Sequence, residues 1–108
     1  MLPRQSESFR VVPGDLSRPD TVVEATLGCD AVIYTPPITL SVDQALIWLS
    51  IVMSSAELAG AGRFVLSCSI RPPDATTGIV LLDVKRALAS RVEASALDTV
   101  LVRPTLYL

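Results

Sequence analysis

Residues Gly14–Tyr34 read GDLSRPDTVVEATLGCDAVIY, a turn, a helical pattern and an apolar run with almost nothing between them. Ser17, Pro19 and Asp20 form a helix-start cluster. Ser17 can cap, Pro19 fits the first turn where its missing N–H costs nothing, and Asp20 complements the positive end of the helix dipole. Val22, Val23 and Leu27 supply an apolar stripe, and Gly28 provides the left-handed residue that ends many helices. The run Ala31–Tyr34 that follows is continuously apolar and is stopped by Pro36-Pro37. Such a run predicts a strand covered on both faces, as in a parallel sheet.

Outward from this unit the pattern repeats. Upstream, Phe9–Val12 is a short β-rich run ended by Pro13-Gly14, so Asp15 and Leu16 stand at the turn between a strand and a helix. Downstream, Ser41 and Gln44 form a capping box for a helix extending to about Gly60, with Asp43 and Glu57 its charges. Arg63–Ser67 reads as the next strand, and RPPDATTG after it as a loop. Leu81, Val84, Leu88 and Val92 recur at helical spacing, with Lys85, Arg86, Arg91 and Glu93 expected on other faces. Asp98–Val102 is a last strand, stopped by Arg103-Pro104. The order β-α-β-α-β-α-β implies an α/β fold: a mainly parallel sheet of about four strands with flanking helices and right-handed crossovers. Ligands in such sheets sit beyond the carboxyl ends of the strands.

Composition narrows the function classes. The 108 residues are 50% hydrophobic and 19% charged, enough for one domain with a real core. A net charge of −2 with scattered basic residues argues against a nucleic-acid surface. The absence of histidine excludes Ser-His-Asp and Cys-His catalysis and most transition-metal sites. Cys29 and Cys68 lack partners at metal-ligand spacing and are expected to be free thiols. The N-terminal MLPRQSESFR is not a signal peptide. The most apolar stretch, Ala45–Ala56, has 12 residues, against roughly 20 for a membrane span. A soluble, cytoplasmic protein is expected.

Three segments then carry a family resemblance. GDLSRPDTVVEATLGCDAVIY resembles the "GDL, helix, G-x-D-A-V" pattern of NmrA-like atypical short-chain dehydrogenase/reductases. AELAGAGRFVLSCS, Ala56–Ser69, is similar to their "A-x-x-A-G-V-x-R-F-V-x-S-S". VKRALASRVEASALDTVLVRPTLY, Val84–Tyr107, resembles their "K, helix, S-x-L-D-x-T-x-L-R-P-T" segment. The resemblance implies that residues 1–108 form one partial Rossmann-like domain binding NADP or NAD. It also implies that Asp15 and Leu16 lie along the adenine edge and that Thr35 and Pro36 line the adenosine side. Ser67 or Ser69 would take the catalytic serine position, Lys85 the catalytic lysine position, and Pro104 and Thr105 would lie near the nicotinamide. Hydride transfer or dinucleotide sensing would be the ancestral activity.

The departures are as informative. In the family's order an opening strand, a glycine-rich phosphate loop, a helix and a second strand precede the segment at Phe9. None of these is in the 108 residues. Leu81 stands where the catalytic tyrosine is expected, four residues before Lys85, and Ala89 stands where a glutamate is common. The edges left open by the missing strand imply that Phe9–Val12 moves in beside Ala31–Tyr34 to give a contiguous four-stranded sheet, or that the fragment is unstable alone. Alternatives remain at each site. Asp15 is an adenine contact or a turn residue, and Lys85 a site residue or part of a solvated helix face. The 41–60 helix is either buried, or presents Ile47, Trp48 and Ile51 to a partner helix or a second copy in a homodimer.

Overall fold

The computed structural model describes residues 11–67, 78–95 and 97–102. Its elements run α1 (Pro19–Thr26), β1 (Ala31–Tyr34), α2 (Val42–Leu58), β2 (Arg63–Ser67), α3 (Val80–Glu93) and β3 (Thr99–Val102). The strands form one parallel sheet in the order β1-β2-β3, with Val32 opposite Phe64 and Leu66 opposite Leu101. This is the α/β architecture expected from the sequence.

Each helix is delimited by identifiable chemistry. α1 starts on Pro19 with Asp20 in its first turn. Its cap residue is Arg18, which makes no side-chain cap bond, and not Ser17 as expected. Gly28, at φ +76°, turns the chain toward β1. At α2 only half of the capping box forms. Ser41 Oγ accepts the Gln44 N–H at 3.1 Å, whereas the Ser41 N–H goes to Thr39 Oγ1 at 3.2 Å. α2 ends in a Schellman motif: the Gly60 N–H donates to the Glu57 carbonyl and the Ala61 N–H to the Ala56 carbonyl, both at 3.0 Å. Gly60 makes this possible at φ +72°.

The core lies between the sheet and the helices. Phe64, Leu66, Leu49 and Val92 are fully buried, with Met53 and Ala56 beside them. α2 is the central helix, packing on α1 on one side and α3 on the other. Strands that advance in one direction with right-handed crossovers send their connecting helices to one face. Val32, Tyr34, Phe64 and Leu66 therefore point into the core. Along β1 burial alternates instead of covering both faces as expected: Ala31 and Ile33 are exposed, Ile33 by 72%. With Val65, Val100 and Val102 they make the opposite sheet face, which no described helix covers.

The first predicted strand is not found as expected. Val11 and Val12 belong to no strand, Phe9 and Arg10 lie outside the described residues, and β2 is the only described strand neighbour of β1. The proposed pairing of Phe9–Val12 with Ala31–Tyr34 is thus absent among the described residues. Pro13 withholds a backbone donor immediately after this segment, and the Asp15 turn redirects the chain into α1.

Candidate functional site

The sequence-predicted site residues fall in two places. Asp15 and Leu16 form the approach to α1. One Asp15 carboxylate oxygen, Oδ1, accepts the Ser17 N–H at 2.8 Å and the Ser17 hydroxyl at 2.7 Å. The Asp15 N–H donates to Thr21 Oγ1 at 2.9 Å, and its carbonyl accepts the Arg18 N–H at 2.9 Å. These bonds make an Asx turn, the arrangement through which aspartate competes with regular structure. The Ser17 hydroxyl and then its N–H hold the Asp15 carboxyl below the usual carboxylate range, with Arg18 adding a smaller share. Leu16 is half-buried and packs against the core.

The second place is at the carboxyl ends of β1 and β2. Pro36, Pro37, Ile38 and Thr39 from the loop after β1, Ser67 at the end of β2, and Leu81, Val84, Lys85 and Leu88 on α3 enclose a slot of about 40 Å³. Three predicted residues, Pro36, Ser67 and Lys85, thus meet in one cavity. Thr35 precedes it, exposed at the end of β1. Lys85 is half-buried beside the apolar stripe and not on another face of α3, because positions 81, 84, 85 and 88 share one side of a helix. That spacing was the available signal for Leu81, Val84 and Leu88 as lining residues. Asp15 does not line the slot. Ser69, Pro104 and Thr105 lie outside the described residues.

Beneath the end of β1 lies a buried polar atom. The Tyr34 hydroxyl is shielded from solvent and has no hydrogen-bond partner among the described residues. Burial pushes its pKa up to about 12.

A dinucleotide needs donors for its diphosphate, ordinarily backbone N–H groups at a helix N-terminus preceded by glycines. The described helices do not offer this. Each carries its own acid in the first turn: Asp20 on α1, Asp43 on α2 and Asp83 on α3. Before α3 the Gly78 N–H already donates to Asp83 Oδ2 at 3.2 Å. Gly28 and Gly60 follow helix C-termini, the negative end of the dipole. The described residues therefore do not fit a diphosphate. Among them no group of three or more His, Cys, Asp or Glu is placed to hold a metal ion. None of the described helices is long and apolar enough to cross a membrane.

Comparison with known proteins decides the relationship. A family profile described as NAD(P)H-binding matches residues 2–108. The chain belongs to the NAD(P)H-binding family. This bears out the family-level resemblance to NmrA-like atypical short-chain reductases. Among solved structures the fold is similar to the Citrobacter sp. triphenylmethane reductase complexed with NADP(H), at a TM-score of 0.70 and 16% identity over 87% of this chain. A second structure of that reductase, described in connection with bioremediation of triphenylmethane dyes, matches with the same TM-score of 0.70 and 16% identity, again over 87% of this chain. The chain spans about a third of the length of these reductases, 32% in both cases. No curated protein sequence matches the chain. NAD(P) binding is the property of the family, and the partial Rossmann-like sheet is the part of that fold observed here.

Proposed function

We propose that this chain forms one flank of a reductase-like dinucleotide site, the side built from the carboxyl ends of β1 and β2 and the first turns of α3. The observation that carries this reading is the convergence of Pro36, Ser67 and Lys85 on one cavity at the strand ends. Thr35 and Pro36 flank the adenosine portion, as do Asp15 and Leu16 through their turn. Ser67 or Ser69 supplies a hydroxyl, and Lys85 a cation beside the reacting end, with Pro104 and Thr105 closing the nicotinamide side. A bound nicotinamide cofactor would supply the hydride. Leu81 in the tyrosine position offers no phenolic proton donor, so this flank orients and excludes water more than it moves protons.

The acids at all three described helix N-termini mean that the phosphates are held by groups other than these. The 108-residue chain therefore binds NADPH or NADH weakly. Calorimetric titration with NADPH tests this. A dissociation constant weaker than about 100 μM, or roughly 5.5 kcal/mol, is expected. Saturable binding tighter than that overturns the view that the chain lacks a phosphate grip.

A further inference from the structure

A different surface, independent of the dinucleotide reading, points to a protein partner. Between α1 and α2 runs an open groove of about 280 Å³, with Pro19 and Val23 on one wall and Ile51 and Leu58 on the other. Ser50 and Ser54 lie between, so no charged side chain lines it. Leu58 on its wall is 74% exposed, and Ile47 on the same helix and Leu27 just past the end of α1 are exposed by 55% and 62%. Along α2, positions 47, 51, 54 and 58 follow each other at four-, three- and four-residue steps, with 50 beside them. They make one continuous outward stripe of the kind an amphipathic helix packs against.

Charge selects the occupant. The ionisable residues on α1 and α2 are Asp20, Glu24, Asp43 and Glu57, all exposed and all acidic. The nearest described base, Arg18, already lies 3.7 Å from Asp20. The other described basic residues, Arg63, Lys85, Arg86 and Arg91, are on β2 and α3. A second copy docking through the same groove would set these four acids against the same four. Nor can the basic α3 of a second copy fill it, because Val84, Leu88 and Val92 on that helix are buried in their own core.

We propose that the α1–α2 groove docks a basic amphipathic helix of a partner protein, aliphatic side chains entering the groove and flanking Lys or Arg meeting Asp20, Asp43 and Glu57. Such a surface gains on-rate and selectivity from charge and adhesion from apolar burial.

The test uses two Trp-free helical peptides of about 15 residues, roughly 22 Å long, one built from Leu and Lys and the other from Leu and Glu at the same positions. Trp48, the single tryptophan, is half-buried on α2 and reports binding by fluorescence. The Leu/Lys peptide is expected to saturate with a midpoint below about 100 μM at low salt, and the Leu/Glu peptide to bind at least tenfold more weakly. Leu58→Asp, and separately the pair Asp20→Lys with Glu57→Lys, should each weaken the Leu/Lys peptide at least fivefold. Glu93→Lys, a single acid-to-lysine reversal on exposed α3 surface, should leave it unaltered. All these positions are exposed, and unchanged circular dichroism confirms the fold of each variant. Three results overturn the proposal: groove variants that bind like the parent, Glu93→Lys weakening binding as much as they do, or self-association in sedimentation that Leu58→Asp abolishes. The last would make a second copy the occupant.

Discussion

Replacing Tyr34 with phenylalanine should stabilise this protein. The ring fills the end of β1 against the helices and is 7% exposed, so the substitution keeps its packing. What it removes is a hydroxyl shielded from water and without a hydrogen-bond partner among the described residues. Leaving such a group unsatisfied costs about 1–3 kcal/mol, and that cost disappears when the group is deleted without creating a cavity. Taking the low end, Tyr34→Phe should gain about 1 kcal/mol, or about 4–8 °C in Tm for a domain near this size. Urea denaturation at pH 7, followed by far-ultraviolet circular dichroism, measures the difference. A pH series adds a second reading with a defined sign. The folded-state pKa is raised by burial to about 12 from the usual 10.0. The unfolded chain therefore loses this proton first. The stability contributed by the neutral phenol is intact below pH 10 and declines as pH rises from 10 toward 12. Tyr34→Phe lacks that decline, so the gap between variant and parent should widen over this window. A variant destabilised by 1 kcal/mol or more at pH 7 would refute the reasoning, because it would mean the hydroxyl is bonded in the folded state.

Other substitutions test the fold around the site. Phe64→Ala empties the most buried large position in the sheet and should cost about 3–5 kcal/mol, seen as loss of cooperative unfolding or a sharply lower midpoint. Gly60→Ala meets no neighbouring atom within 4 Å but must adopt φ +72°. It should cost about 1–2 kcal/mol in the same denaturation assay. Ile33→Lys sits on the sheet face that no described helix covers and should change stability by less than about 0.5 kcal/mol while lowering binding of an apolar dye. A loss of several kcal/mol there would mean that this face is covered.

Much of the architecture was legible because local signals and global topology agree. Pro19, Gly28, Ser41 and Gly60 mark helix limits by backbone chemistry that tertiary contacts do not override, and the three apolar runs from Ala31, Arg63 and Thr99 all became strands. The exceptions have physical causes. Ser17 is expected to cap α1, but the helix starts one residue later with Arg18 at the cap position, and Ser17 instead closes the Asp15 turn with its N–H and hydroxyl. The run Ala31–Tyr34 suggested two covered faces. Sequence apolarity reports what a strand can bury, and only the helix-bearing side is buried among the described residues. The charge of Lys85 suggests a face away from the apolar stripe, but its angular position on α3 is that of the stripe. Its spacing from Leu81 places it in the slot. The slot itself could not be read from the sequence, since the Pro36–Thr39 loop meets α3 only through the stacking of β1 and β2. The lone Tyr34 hydroxyl was invisible for a related reason: a partner's absence depends on the whole packing around it.

On the proposed function this chain carries a flank of a dinucleotide site, and its described residues offer the phosphates no grip. Amide-resolved nuclear magnetic resonance during an NADPH titration into the millimolar range tests it most directly. Gradual shifts are expected, confined to the strand-end residues, Thr35, Ile38, Thr39, Ser67 and Leu81–Leu88, together with the Asp15–Ser17 turn. The helix N-termini of α1 and α2 beyond that turn should stay unmoved. Shifts clustered at those N-termini, or no localised shifts at saturating millimolar NADPH, would contradict it.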